Sequence, residues 1–191
     1  MMGPKAESVT EAGESDGFEI QPGFCLQVDP RSGTRLVVSV PASSLGSVHQ
    51  DLIRACTAPL SVLYRQKVDR GKPRPEGAAP RDFVAVELAC EVVVAALQEC
   101  ASLAYHDARA EIWVRGRHGE QVILDSDGLA FCYPDDPLFR DVCVAHGLSE
   151  ARLRTMAERD YVKHWYHAAN DAVEAGFIEG LGLSEMSAEE R

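Results

Sequence analysis

The sequence has no long apolar run, and this absence excludes a helix that crosses a membrane. Such a helix requires roughly 18 consecutive apolar residues, and no stretch of the chain approaches that length. The N-terminus also lacks the apolar segment of a secretory signal peptide. We therefore expect a cytoplasmic protein that does not associate with membranes.

Disulfide, metal and catalytic signatures are missing as well. The six cysteines form no CxxC pair and show no zinc-ligand spacing, which favours buried thiols that the cytoplasm keeps reduced. The chain contains no GxSxG nucleophile elbow, no P-loop and no GxGxxG turn after a strand. No internal repeat is present either. These absences favour a binding protein over an enzyme.

Acidic residues are what the sequence has in excess, with a formal net charge of −11. Residues 1–20 carry five acids against Lys5, and residues 184–191 carry three acids against Arg191. Because residues 1–20 are also poor in apolar side chains, we expect them to form a disordered acidic tail. Residues 184–191 are expected to form a second acidic tail, which leaves 21–183 as a single domain without a visible linker.

One basic run interrupts this acidic chain. Residues 65–81 contain six cations and two acids, a local charge of +4, and much of this charge lies in a loop rich in proline and glycine. Arg70, Lys72 and Arg74 are the candidate anion-binding residues, and a solubilising surface loop is the alternative. No aromatic residue interleaves these cations to stack on bases, so nucleic acid is not expected as a partner.

The hydrophobic pattern predicts an α+β fold, with a mainly antiparallel sheet packed by several helices and a helical C-terminal part. Apolar residues alternate along the predicted strands, which cover 24–28, 34–40, 60–68, 82–88 and a meander over 111–133. Helical spacing predicts helices over about 44–56, about 90–104, from Pro137, over 149–157 and over 160–177.

The predicted helix over 160–177 carries the one constellation that suits metal or acid–base chemistry. Asp160, His164, His167 and Asp171 are spaced i, i+4, i+7 and i+11, which places them on one helical face. His164 and His167 could bind a divalent metal such as zinc, with Asp160 or Asp171 as the carboxylate ligand. The pair lacks the glutamate of the HExxH motif, so a solvated helix face is the alternative. Residues 161–167 also alternate as a strand would, and a strand would separate the two histidines.

Two functions follow from these observations. The leading one is a non-enzymatic acidic protein-binding or regulatory module, of the inhibitor, chaperone or regulatory-subunit type. Its partner would be another protein or a second copy of the chain, and it would need no cofactor. The alternative is a metal-dependent hydrolase that uses the 160–171 stripe, with a metal-bound water as nucleophile.

Overall fold

The main element of the fold is an antiparallel sheet of eight strands. The computed structural model describes residues 3–29, 33–71, 78–163 and 166–187. The strand order is β10-β5-β4-β6-β7-β8-β3-β2, and a separate two-stranded ribbon pairs β1 with β9. The strands are β1 (Glu7–Ser8), β2 (Gly23–Asp29), β3 (Gly33–Ser39), β4 (Leu60–Gln66), β5 (Arg81–Leu88), β6 (Ala110–Arg115), β7 (Gln121–Leu124), β8 (Leu129–Tyr133), β9 (Tyr161–Val162) and β10 (Ser184–Glu185).

Five α-helices in the described part of the chain pack on one face of this sheet. They are α1 (Ala42–Arg54), α2 (Cys90–Glu99), α3 (Ala101–His106), α4 (Pro137–Ala145) and α5 (Asn170–Gly180). Each helix contributes buried apolar side chains to one core cluster, together with alternate residues of the strands, such as Leu60, Val62 and Tyr64 of β4. The predicted α+β class, with its antiparallel sheet and C-terminal helix, is confirmed.

Local chemistry explains where several elements begin. Along β4 the burial alternates at every residue, as the sequence pattern predicted. Helix α4 begins at Pro137, whose missing N–H costs nothing at that position. The carboxylate of Asp136 caps this helix by accepting a hydrogen bond from the backbone N–H of Leu138 at 2.8 Å.

The predicted helix over 149–157 is wrong. Residues 149–158, which we call the strap, instead run along the outer edge of β2 and end in a short 3₁₀ turn at Met156–Glu158. The N–H of Phe24 donates to the carbonyl of Ser149 at 3.1 Å, and the N–H of Ala151 donates to the carbonyl of Phe24 at 2.9 Å. An edge strand offers unpaired backbone groups, and pairing with them outweighs the local helical pattern.

The predicted helix over 160–177 is wrong in its first half. Helix α5 begins only at Asn170, whereas Tyr161 and Val162 form β9. Strand β9 pairs with β1, so its backbone finds a partner more than 150 residues away in the sequence. Tyrosine and valine both favour strands. The alternation of residues 161–167, which the sequence analysis gave as the alternative to a helix, is the pattern that applies to Tyr161 and Val162.

The described part of the N-terminal segment, residues 3–20, contacts the rest of the fold, and the disorder expected for residues 1–20 stays a prediction. Lys5 and Ala6 are buried, and β1 belongs to the ribbon. The ammonium group of Lys5 donates to the carbonyl of Asp125 at 3.2 Å and to the carbonyl of Ala110 at 3.4 Å. These backbone partners supply the ordering that composition alone did not indicate. The domain boundaries at residues 20 and 183 stay a prediction.

No helix among the described residues is both long and apolar enough to cross a membrane.

The burial of Lys5 predicts a pH dependence of folding stability. Burial lowers the pKa of Lys5 from 10.5 to about 8, although the charges of Asp125 and Asp107 oppose the shift. Between these two values the folded chain has lost the proton while the unfolded chain keeps it, so the free energy of unfolding rises with pH. We expect this rise, up to about 3 kcal/mol, in urea titrations of the wild type and not of Lys5→Met. Parallel pH profiles of the two proteins would contradict the prediction.

Candidate functional site

The four residues of the predicted metal stripe do not share a helix. Asp160 is exposed and precedes β9, Asp171 lies in the first turn of α5, and His167 lies between them outside either element. His164 lies outside the described residues. Within the described residues, no group of three or more histidine, cysteine, aspartate or glutamate side chains could hold a metal ion. The metal assignment therefore stays a prediction without the helical spacing that motivated it.

A buried ionic network lies where Asp171 meets the sheet, and its centre is Arg109. The guanidinium is fully buried, and its Nε and Nη2 atoms donate to the two carboxylate oxygens of Asp107 at 3.1 and 3.0 Å. Its Nη1 atom donates to Asp171 at 2.8 Å and to Glu174 at 3.0 Å. Nη2 also donates to the carbonyl of His167 at 2.7 Å. All five N–H groups of the guanidinium are therefore used.

The carboxylates around Arg109 are satisfied in turn by neighbouring elements. Glu174 accepts hydrogen bonds from the hydroxyl of Tyr64 at 2.6 Å and from the side-chain amide of Gln66 at 2.9 Å. Asp107 accepts from the side-chain amide of Asn170 at 3.0 Å. The network thus joins β4, the loop before β6 and α5, which explains how polar side chains are accommodated on the helix-covered face.

The surroundings of Tyr64 and Arg109 shift the pKa values of both side chains upward. Burial, followed by the charge of Glu174, raises the pKa of Tyr64 well above its usual value. Burial lowers the pKa of Arg109, but the hydrogen bond and charge of Asp107 outweigh this effect, so the pKa lies above its usual value. Tyr64 therefore stays protonated and Arg109 stays charged at neutral pH. The hydrogen bonds and ion pairs of Arg109 to Asp107, Asp171 and Glu174 hold α5 in place.

A serine flanked by two lysines was not recognised from the sequence. The hydroxyl of Ser126 accepts from the Nζ atoms of Lys163 at 2.8 Å and Lys67 at 3.3 Å. A serine beside a neutral lysine can act as a nucleophile. Burial lowers the pKa of Lys163, but its hydrogen bond to Asp127 and the charges of Asp127 and Asp125 together outweigh burial and raise the pKa. Because Lys163 is charged and Ser126 is buried, this cluster fixes the β7–β8 turn.

The predicted anion-binding loop is only partly described. Lys72 and Arg74 lie outside the described residues. The guanidinium of Arg70 donates to the carbonyl of Tyr166 at 2.9 Å and lies 3.4 Å from the carboxylate of Asp171. Arg70 therefore already has an acidic partner, and the anion site stays a prediction that depends on Lys72 and Arg74.

The sheet face opposite the helices carries a continuous line of apolar side chains. In the strand register, one residue from each of seven neighbouring strands stands directly beside the next. None of them belongs to the core cluster on the helix-covered face. We call this line the apolar row; it comprises Cys25, Val37, Phe131, Ile123, Trp113, Leu63 and Val84.

Mostly polar residues border the apolar row on both sides, and Gly23 and Leu129 are the exceptions among the residues named below. Two strand positions away on one side, which we call the Arg115 side, lie Gln27, Arg35, Tyr133, Gln121, Arg115 and Ser61. On the other side, which we call the Glu111 side, lie Gly23, Ser39, Leu129, Glu111, Arg65 and Asp82.

Two arginines of these borders lie over aromatic rings of the row. The guanidinium carbon of Arg35 is 4.4 Å from the ring centroid of Phe131, and that of Arg65 is 4.8 Å from the ring centroid of Trp113. Each guanidinium also makes polar bonds: Arg35 donates to the hydroxyl of Tyr133 at 2.7 Å, and Arg65 pairs with Asp82 at 2.9 Å. The rings are thus held in fixed positions while remaining at the surface.

The strap closes one end of this face. It forms one wall of a groove of about 580 Å³, which is also lined by Cys25 and Val37 of the apolar row. Val37 is consequently only 4% exposed, whereas Trp113 and Phe131 in the middle of the row are partly exposed. Ile123 of β7 is also buried, at 8% exposure, so the partly exposed residues of the row on the strands away from the strap are Val84, Leu63, Trp113 and Phe131.

Comparison of the chain with protein-family models, curated proteins and solved structures found no match.

The network predicts a large stability loss when its cation is removed. Replacing Arg109 with methionine leaves the buried carboxylates of Asp107 and Glu174 without a counter-charge, so we expect the free energy of unfolding to fall by about 3–5 kcal/mol. Urea titration followed by circular dichroism measures this change. Arg117→Met, which alters an exposed arginine in a turn, is the matched control and should change stability by less than about 0.5 kcal/mol. Equal effects of the two substitutions would contradict the structural role of Arg109.

The metal hypothesis is tested by elemental analysis. We expect the purified full chain to carry no stoichiometric zinc or other transition metal by plasma mass spectrometry. About one bound equivalent, lost in the folded double variant His164→Ala/His167→Ala and retained in His118→Ala, would overturn this expectation. His118 is a suitable control because it is an exposed histidine in a hairpin turn.

Proposed function

We propose that this protein is a non-enzymatic protein-binding module, of the inhibitor, chaperone or regulatory-subunit type, and that it binds its partner through the helix-free face of the sheet. The observation that carries the proposal is the apolar row. An antiparallel sheet with one solvated face normally alternates apolar residues inward with polar residues outward. Here Leu63, Trp113 and Phe131 occupy outward positions on three strands.

The composition of this face supports protein binding over a small-molecule site. Tryptophan, tyrosine and arginine are enriched among the residues that dominate protein interfaces. Arg35 and Tyr133 are hydrogen-bonded to each other on this face, and Trp113 lies two strands from Tyr133. The apolar row crosses seven neighbouring strands, and the groove at the strap lies at its β2 end. A flat apolar centre with a polar border is the usual anatomy of a protein–protein contact.

The alternative function, a metal-dependent hydrolase, has no comparable support. It required Asp160, His164, His167 and Asp171 on one helical face, and Asp171 is instead bonded to Arg109 in the buried network. No observation on the described residues favours this alternative.

Site-specific photo-crosslinking in the protein's native cells tests the proposal. A photoreactive phenylalanine analogue at position 113 should yield a defined crosslinked product, because a bound protein would cover this side chain. The matched control places the same analogue at Val144, which is 61% exposed on α4 and therefore on the opposite side of the molecule. Absence of any product at position 113, or identical products at both positions, would contradict the proposal.

A further inference from the structure

We infer that the outer edge of β2 is a second binding surface, and that its occupant is an extended peptide segment of a partner protein, which adds to the sheet as a further strand. Strand β2 is the last strand of the eight-stranded sheet. This edge is separate from the helix-free face to which the proposed function assigns binding. Three features support it: the backbone groups of Leu26 and Val28, the exposure of their side chains and the course of the strap beside them.

The strap shows which backbone groups of β2 point away from the sheet. Both the N–H and the carbonyl of Phe24 bond to the strap, at Ser149 and Ala151. Strand β2 pairs with β3 in unbroken antiparallel register over all seven of its residues. Because backbone groups alternate in direction along such a strand, the N–H and carbonyl groups of Leu26 and Val28 point to the same outer side as those of Phe24.

The strap leaves this edge immediately after Phe24. It runs parallel to β2 there, with Glu150 beside Phe24. A parallel pairing that continued would bond the N–H of Leu26 to the carbonyl of Ala151 and the carbonyl of Leu26 to the N–H of Leu153. Neither bond forms between these residues, all of which the structure describes. Among the described residues, the outward backbone groups of β2 beyond Phe24 therefore have no partner.

The side chains at this edge are apolar and exposed. Leu26 and Val28 are 43% and 73% exposed, and both point to the same side of the sheet as Phe24, which belongs to the core cluster. Gln27 points to the other side, where it lines the groove of about 580 Å³ beside the strap together with Cys25. An added strand would therefore meet apolar side chains on one side and the groove on the other.

The opposite edge of the sheet carries features that discourage strand pairing, whereas the β2 edge does not. Strand β10 has only two residues, its Glu185 pairs with Arg81 of β5 at 2.6 Å, and the register of β5 against β4 is interrupted. Short strands, charges, prolines and bulges are the usual means by which proteins protect an edge. Between Phe24 and Val28 the sequence has no charged residue and no proline, and the register has no bulge. An edge of this kind suits the addition of a partner strand.

A second copy of the chain is a poorer occupant of this edge than a peptide. In the two-fold pairing that uses the backbone groups of both residues, Leu26 would lie beside Val28 of the other copy. The chain that follows Val28 would then be directed toward Phe24 of the other copy, where the strap already lies. A peptide can end or turn away at this point, so it can pair with Leu26 and Val28 without meeting the strap.

Selection of binding peptides tests this inference. The probe is a phage-displayed library of linear peptides, selected against the purified full chain. The enriched peptides are then synthesised, and their dissociation constants are measured by fluorescence anisotropy. Because only the outward groups of Leu26 and Val28 are open to pairing, we expect dissociation constants in the micromolar range and apolar side chains at alternate peptide positions.

Proline at position 28 removes an outward donor and preserves the sheet. The N–H of Val28 points away from β3, so Val28→Pro keeps the β2–β3 ladder, and proline is tolerated at such edge positions. We expect at least about tenfold weaker peptide binding, because one hydrogen bond is lost and the ring stands where the peptide carbonyl would lie. The matched control Val28→Thr keeps the N–H and the side-chain shape and should retain most of the affinity. Trp113→Arg, on the helix-free face, should bind like the wild type, and circular dichroism verifies that each variant is folded.

Amide hydrogen exchange of the wild type, followed by NMR, supplies a test that needs no variant. In the free chain the amides of Leu26 and Val28 should exchange quickly, whereas the amide of Phe24, which is bonded to Ser149, should exchange slowly. A selected peptide should slow the exchange at Leu26 and Val28. Methylation of alternate backbone nitrogens of the peptide should abolish binding for the set that faces β2 and spare it for the other set.

Each outcome supports or overturns the inference. It is overturned if the library yields no peptide, if the peptides bind Val28→Pro as they bind the wild type, or if exchange at Leu26 and Val28 is unchanged in the complex. Slow exchange at these amides that depends on the concentration of the chain alone would assign the edge to a second copy instead.

The same measurements separate this edge from the proposed function. Peptides that bind Val28→Pro but not Trp113→Arg would belong to the helix-free face, so they would support the proposed function and overturn the inference. Peptide binding that depends on Val28, together with no crosslinked product at position 113, would remove the proposed function and leave the β2 edge as the binding surface.

Discussion

The packing of α5 against the sheet depends on the ionic network of Arg109, whose guanidinium uses all five of its N–H groups in hydrogen bonds. It joins the loop before β6 to α5, and one of its carboxylate partners, Glu174, accepts hydrogen bonds from Tyr64 and Gln66 on the sheet. Helix α5 supplies Phe177 to the core, where the phenylalanine ring packs against Tyr64 with centroids 5.6 Å apart. Without this ionic contact, the polar residues on the helix-covered face would be buried without partners, which is costly.

All the described helices pack on one side of the sheet, and this leaves the opposite face without helices. All five helices of the described chain bury their apolar side chains in the same cluster, so the opposite face is covered by the strap at one end and otherwise by its own side chains. Arg35 and Arg65 cover Phe131 and Trp113 in part, and they leave a flat apolar surface with charged borders. The protein partner that we propose, rather than a small molecule, would cover a surface of this kind.

The sequence allowed the strands to be predicted because their periodicity is a local property. The alternation of Leu60 to Gln66 is visible in the chain and matches the burial of β4. The strap and β9 were mistaken for helices because their partners, Phe24 and β1, are remote in sequence. The apolar row was hidden for a related reason: the outward residues are readable on each strand, but only the register shows that they adjoin. Likewise, Arg109 and Glu174 are 65 residues apart, and no spacing rule links them.

The pairing of β1 with β9 has a consequence for the order of synthesis. Lys5 reaches its carbonyl partner only after Asp125 has been made, and Ser8 finds its strand partner only after Tyr161. During translation β1 therefore cannot pair until β9 has been synthesised. Because closing so long a loop costs entropy before any contact forms, this ribbon is expected to assemble late, after the sheet and its helices. The N-terminal segment is then expected to dock last, onto a domain whose sheet and helices have already formed.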